Sequence, residues 1–135
     1  MSDSLTSTGT LIHFESEGLF NKLELCSPQA LDDLDFGVIG FEQSGIVRRY
    51  NTLESKLAGL SMSTVVGHHL FDVVAPCMNN FMVAERFTDS QLEHRALDIV
   101  IDYVLTFRMR PQRVKLRLLA QPESAMQYVL VQRNR

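Results

Sequence analysis

The stretch Ile99-Val100-Ile101-Asp102-Tyr103-Val104-Leu105-Thr106-Phe107-Arg108-Met109 decides the fold. Ile99, Ile101, Tyr103, Leu105, Phe107 and Met109 fall on one side. Val100, Asp102, Val104, Thr106 and Arg108 fall on the other. A period of two is the signature of a strand with one face turned to a core. Arg110-Pro111-Gln112 turns this strand into a second one, Val114 to Leu119, and Pro122-Glu123-Ser124 turns that into a third, Met126 to Arg133.

Upstream, the apolar run Phe36 to Phe41, the turn Gln43-Ser44-Gly45 and the segment Ile46 to Tyr50 read as a hairpin. Between the two groups of strands the spacing is helical. Leu53, Leu57 and Leu60 mark one short helix, and Ser63 to Val66 another turn of helix closed by Gly67. Met78 to Leu92, with Phe81, Ala84 and Phe87 on one face, is expected to be the longest helix. Nearer the start, Leu19, Phe20 and Leu23 share a helical face, and Ser27-Pro28 opens a short helix to Leu34 with Ser at the N-cap and Pro at N1. Residues 1–11 lack apolar groups to bury and are expected to be disordered.

Strands grouped together, without βαβ alternation, argue an α+β fold with an antiparallel sheet. Short central helices must then cover one sheet face, and a pocket between the two layers is where small ligands commonly sit. The chain has 135 residues, enough for one core, and its net charge of −3 argues against a nucleic-acid partner. No apolar run approaches the roughly 18 residues that span a bilayer. The first ten residues have neither the basic nor the apolar region of a signal peptide. With two cysteines, Cys26 and Cys77, and no CxxC, a cytoplasmic location is the simplest expectation. Motifs of hydrolases, zinc proteases and nucleotide enzymes are absent, so no enzymatic activity and no metal site is expected.

Three groups could carry chemistry. Cys77 follows Pro76 and stands at the expected start of the long helix, where N–H groups and the helix dipole favour a thiolate that can form a thioester. The same position suits a small buried hydrophobe. Tyr50 ends a strand and Glu54 follows four residues later, so both could meet one ligand oxygen. A buried Glu54 without a cation would be neutral and donate its proton. The alternative is a tyrosine at the core edge and a solvent-exposed glutamate. Basic residues (Arg108, Arg110, Arg113, Lys115, Arg117, Arg133, Arg135) gather late and acidic ones (Glu15, Glu17, Glu24, Asp32, Asp33, Asp35) early. They form either a solvated sheet face or a basic sheet on which the acidic N-terminal segment docks.

The sequence resembles the photoactive yellow protein family of PAS-fold blue-light receptors. The resemblance is carried by Leu31-Asp32-Asp33-Leu34-Asp35-Phe36-Gly37-Val38-Ile39, the run Tyr50-Asn51-x-x-Glu54, Gly67, Val74-Ala75-Pro76-Cys77, Phe107 to Lys115 with its Met109-Arg110-Pro111 turn, and Tyr128-Val129-Leu130-Val131. It covers about residues 28–133. It implies a five-stranded antiparallel sheet with short helices on one face and an N-terminal cap, with residues 1–27 as the partly disordered cap and 28–135 as the sensor domain. It implies that 4-hydroxycinnamic acid (p-coumaric acid) is held by a thioester at Cys77 with its phenolate on Tyr50 and Glu54. Trans-to-cis isomerisation under light is then followed by proton transfer from Glu54. Ala58, Leu60, Phe107 and Met109 complete the implied chromophore site. Two of these depart from the family: Ala58 stands in place of a threonine and Leu60 in place of an arginine. A signalling protein downstream and a monomer or weak homodimer are expected. A PAS ligand-binding or interaction module without light chemistry is the alternative.

Overall fold

The computed structural model describes residues 12–106 and 111–133. Expectations for residues 1–11, for Phe107, Arg108, Met109 and Arg110, and for Arg135 lie outside the described residues.

Among the described residues two short helices come first, α1 (Leu19–Glu24) and α2 (Pro28–Asp32). The Ser27 side chain accepts a hydrogen bond from the Ala30 N–H, the N-cap its sequence announced. The hairpin follows as β1 (Gly37–Glu42) and β2 (Val47–Tyr50), then α3 (Thr52–Ala58) and α4 (Met62–Val65). A π-helical turn at Leu70–Val74 and a 3-10 turn at Pro76–Met78 lead to α5 (Ala84–Glu93). The chain finishes on β3 (Leu97–Leu105), β4 (Gln112–Ala120) and β5 (Met126–Arg133). The five strands pair antiparallel in the order β2-β1-β5-β4-β3. This is the expected α+β sheet.

The sheet buries both faces. Ile39, Phe41, Val114, Leu116, Leu118, Val129 and Val131 form one core with Met78, Val83 and Phe87 from the helical connection. Val38, Leu119, Tyr128 and Leu130 alternate to the other face and pack against Phe14, Leu19, Phe20 and Leu23. The segment 12–26 is thus a cap, made of apolar side chains on an apolar sheet face. Hydrogen bonds fix it further. Arg49 donates to the Leu23 carbonyl in the last turn of α1, to the Cys26 carbonyl just beyond it and to the Tyr128 hydroxyl. Arg117 donates to the Phe14 and Ser16 carbonyls while its other N–H groups grip Asp98. Of the described basic residues that gather late in the sequence, Arg117 meets the cap, and it does so through backbone carbonyls instead of acidic side chains. Glu24, bound by the Tyr128 hydroxyl, is the carboxylate of that acidic set that meets the sheet.

The long helix is a correction. It begins at Ala84, not near Met78. The Asn80 side chain accepts from the Met82 and Val83 N–H groups and holds the chain in a turn before the helix can start. Phe81, expected on the buried face, is 72% exposed as a result.

Candidate functional site

Tyr50 and Glu54 are placed by Asn51. Its Oδ1 accepts from the Val38 and Glu54 N–H groups, at 3.0 and 3.2 Å. Its Nδ2 donates to the Leu31 and Phe36 carbonyls, both at 3.0 Å. One buried amide, with its hydrogen-bonding capacity fully used, therefore joins α2, β1 and the N-terminus of α3. Sequence reasoning recorded Asn51 only as part of a motif.

Glu54 is fully buried, so the reading of a solvent-exposed glutamate fails. Its carboxylate lies against Gly37 of β1. A Cβ added at Gly37 would sit 1.9 Å from Oε1, so the carboxylate occupies the space that a side chain at position 37 would need. The expectation of a buried glutamate without a cation also fails. Arg133, at the end of β5, donates from Nη1 to Oε1 at 2.7 Å and from Nη2 to Oε2 at 3.1 Å. Its Nε donates to Gln112 at 2.9 Å. Burial pushes the Glu54 carboxyl above the usual carboxylate range, and the two hydrogen bonds and charge of Arg133 pull against it. Arg133 entered the sequence reading as one of a basic group. Its place beside Glu54 was legible only through strand parity, since Val129, Val131 and Arg133 share the helix-side face.

The Tyr50 hydroxyl donates to the Leu60 carbonyl at 3.3 Å. The Ser55 hydroxyl reaches the same oxygen at 2.8 Å. Burial first, then the Glu54 charge, hold the Tyr50 phenol well above its ordinary range, with Arg133 opposing. Tyr50 is thus a neutral donor at any physiological pH. Ala58 is buried and offers no hydroxyl, and Leu60 packs part of its side chain against the helix-side core.

Cys77 lies in the 3-10 turn, ahead of α5 by several residues. The helix-dipole argument for a reactive thiolate therefore falls. What fixes Cys77 is its carbonyl, which accepts from the Tyr103 hydroxyl at 2.5 Å and from Asn80 Nδ2 at 3.2 Å. Asn80 also donates to the Tyr103 oxygen, at 2.6 Å. Neither Asn80 nor Tyr103 had been singled out, although the inward side of β3 named Tyr103 as a core-facing residue. Cys77 and Leu60 pack against the same core cluster that contains Tyr50. The geometry thus gathers a partly buried thiol, a neutral phenol and a carboxylate-guanidinium pair on the helix side of the sheet. Among the described residues no cluster could hold a metal ion, and no helix is long and apolar enough to cross a membrane.

No protein-family model matches the sequence. The photoactive yellow protein of Halochromatium salexigens is 32% identical over 108 residues, covering 80% of this chain and 86% of the relative. The photoactive yellow protein domain of the sensor histidine kinase Ppr from Rhodospirillum centenum superposes with a TM-score of 0.76 at 31% identity, covering 84% of this chain and 98% of that one. The PAS domain of the quorum-sensing receptor RpfR from Cronobacter turicensis, solved in complex with BDSF, has a TM-score of 0.58 at 13% identity, which speaks for the fold alone. With the sheet order, the cap and the extent of this similarity together, the chain belongs to the photoactive yellow protein family, a sensor domain of PAS fold.

Proposed function

We propose that this domain is a light sensor that carries 4-hydroxycinnamate as a thioester on Cys77. The observation that carries the reading is the burial of Tyr50 and Glu54, two groups able to hold a phenolic oxygen, beside the core cluster against which Cys77 packs. Glu54 is partnered by Arg133 and Tyr50 by the Leu60 carbonyl, and a buried ionisable pair beside a buried phenol is an arrangement that functional sites favour. The bound group supplies light absorption and trans-to-cis isomerisation. Cys77 contributes the sulfur that attacks the carbonyl carbon of an activated 4-hydroxycinnamoyl donor; the C–S bond forms as the leaving group departs with its electron pair, and the thiol proton is lost. Tyr50 donates to the phenolic oxygen, and Glu54 is the proton partner of that oxygen. Ala58 and Leu60 shape the wall of the site. The cap on the far sheet face is the element that isomerisation loosens. Signal output then passes to a partner protein, without catalysis by this domain.

The test is intact-protein mass after incubation with the activated donor. Wild type and Cys26→Ala gain one acyl group, and Cys77→Ala gains none. An adduct retained by Cys77→Ala overturns the assignment.

A further inference from the structure

Resting on the light-sensor reading, we infer that Arg133 reverses the charge assignment of the pocket: Glu54 stays a carboxylate, and the phenol bound beside it keeps its own proton and donates it to Glu54. A guanidinium does not lose its proton in a protein, so Arg133 is a permanent cation. Its side chain is 9% exposed, and Glu54 is the anion it grips. Gln112, its other partner, is neutral. Bringing a phenol against Glu54 leaves one proton to be divided between two oxygen acids. Desolvation penalises either anion and does not choose between them. The fork does choose, because both of its N–H donors already end on the two carboxylate oxygens. The ordinary acidities point the same way, about 4.3 for glutamate against about 10 for a tyrosine-like phenol.

The surrounding groups do not alter this outcome. Among the described residues, the titratable or charged groups that act on Glu54 are Arg133 from β5 and Tyr50 from β2; Gly37 brings only backbone from β1. Asp32 in α2 is engaged with the Thr52 N–H at the start of α3. Tyr50, held neutral, donates to the Leu60 carbonyl and brings no charge to Glu54.

The consequence is spectral and has a sign. At neutral pH the adduct absorbs as a phenol, at shorter wavelength than its alkaline form. Glu54→Gln removes the anion beside the phenol and leaves Arg133 to stabilise a phenolate. The absorbance titration midpoint then falls by about one pH unit or more, at least tenfold in proton affinity. Arg133→Gln added to Glu54→Gln raises it again. If Glu54 were instead a neutral donor to a phenolate, Glu54→Gln would remove a strong donor and the midpoint would rise.

The experiment is the absorbance pH titration of the 4-hydroxycinnamoyl adduct of wild type, Glu54→Gln and the double variant. Alongside it, carbonyl-stretch infrared spectra are recorded on the ligand-free proteins. The infrared arm needs no chromophore: ligand-free wild type shows no protonated-carboxyl band that Glu54→Gln removes, and Arg133→Gln gains one. A wild-type adduct already in its phenolate form at neutral pH overturns the proposal without any variant. So does a midpoint that rises or stays fixed in Glu54→Gln, or a Glu54 carboxylic-acid band in the ligand-free wild type. A protein that forms no adduct at all removes the light-sensor reading and this proposal with it, whereas an adduct with the wrong sign removes the proposal alone.

Discussion

Replacing Gly37 by alanine tests how tightly the Glu54 carboxylate is seated. The new Cβ would meet Oε1 at 1.9 Å and Cδ at 2.9 Å, both far inside contact distance. Gly37 sits in a regular strand opposite Val131 and has no positive φ, so alanine is not opposed by the backbone and by itself even restricts the unfolded chain favourably, by about 0.5–1 kcal/mol. The damage is therefore specific to the carboxylate. To make room, Glu54 must leave the Arg133 fork, and separating one partner of a buried pair costs about 3–5 kcal/mol. A net loss near 3 kcal/mol is expected in urea denaturation, a large fraction of the stability of a domain this size. In the background Glu54→Ala with Arg133→Leu, where both partners are gone, the same Gly37→Ala change should cost less than about 0.5 kcal/mol. Equal losses in the two backgrounds would refute the reasoning, since the clash would then be with something other than the pair.

Three further outcomes are expected. Asn51→Ala orphans the Val38 and Glu54 N–H groups and the Leu31 and Phe36 carbonyls; a loss of about 3 kcal/mol or more is expected in the same denaturation assay. Arg49→Ala frees the end of α1, so amide exchange in residues 12–26 should accelerate by about tenfold or more while β4 and β5 stay protected. Tyr50 and Tyr128 are both held neutral above the ordinary phenol range, Tyr50 by burial and then Glu54, Tyr128 by burial and then the hydrogen bond to Glu24. A raised folded value means that this contribution is complete below the unfolded value of about 10 and is lost as pH rises beyond it. Stability measured against pH should fall on the alkaline side, and Tyr50→Phe with Tyr128→Phe should flatten that slope.

The strands were legible by two signals, alternation in β3 and a continuous apolar run in β1, which the sheet buries on both faces. Along β3 the burial alternates residue by residue, as Ile99, Ile101 and Tyr103 against Val100, Asp102 and Val104 announced. The start of α5 was not legible. Phe81, Ala84 and Phe87 have helical spacing, but Asn80 competes for the N–H groups that would have opened the helix there. The candidate site was legible in its members and illegible in its charges. Tyr50, Glu54 and Cys77 come from short motifs, whereas the cation beside Glu54 lies 79 residues away in sequence. Arg133 reaches Glu54 only because β1 pairs with β5, Gly37 opposite Val131, which brings the end of β5 alongside the glycine that makes room for the carboxylate. Without that register a buried, unpaired Glu54 is the natural expectation. The cap shows the same limit: its acidic side chains were visible, but its main polar contacts are carbonyls, which composition does not display.

The measurement that bears most directly on the light-sensor account is a flash experiment on the protein reacted with activated 4-hydroxycinnamate. The excitation is tuned to the absorption of the adduct on Cys77. The account predicts a bleach of that band, a transient of altered absorption and a return to the starting spectrum in the dark over repeated cycles. An adduct on Cys77 that shows no reversible bleach would contradict it and leave a PAS domain that binds its ligand without sensing light.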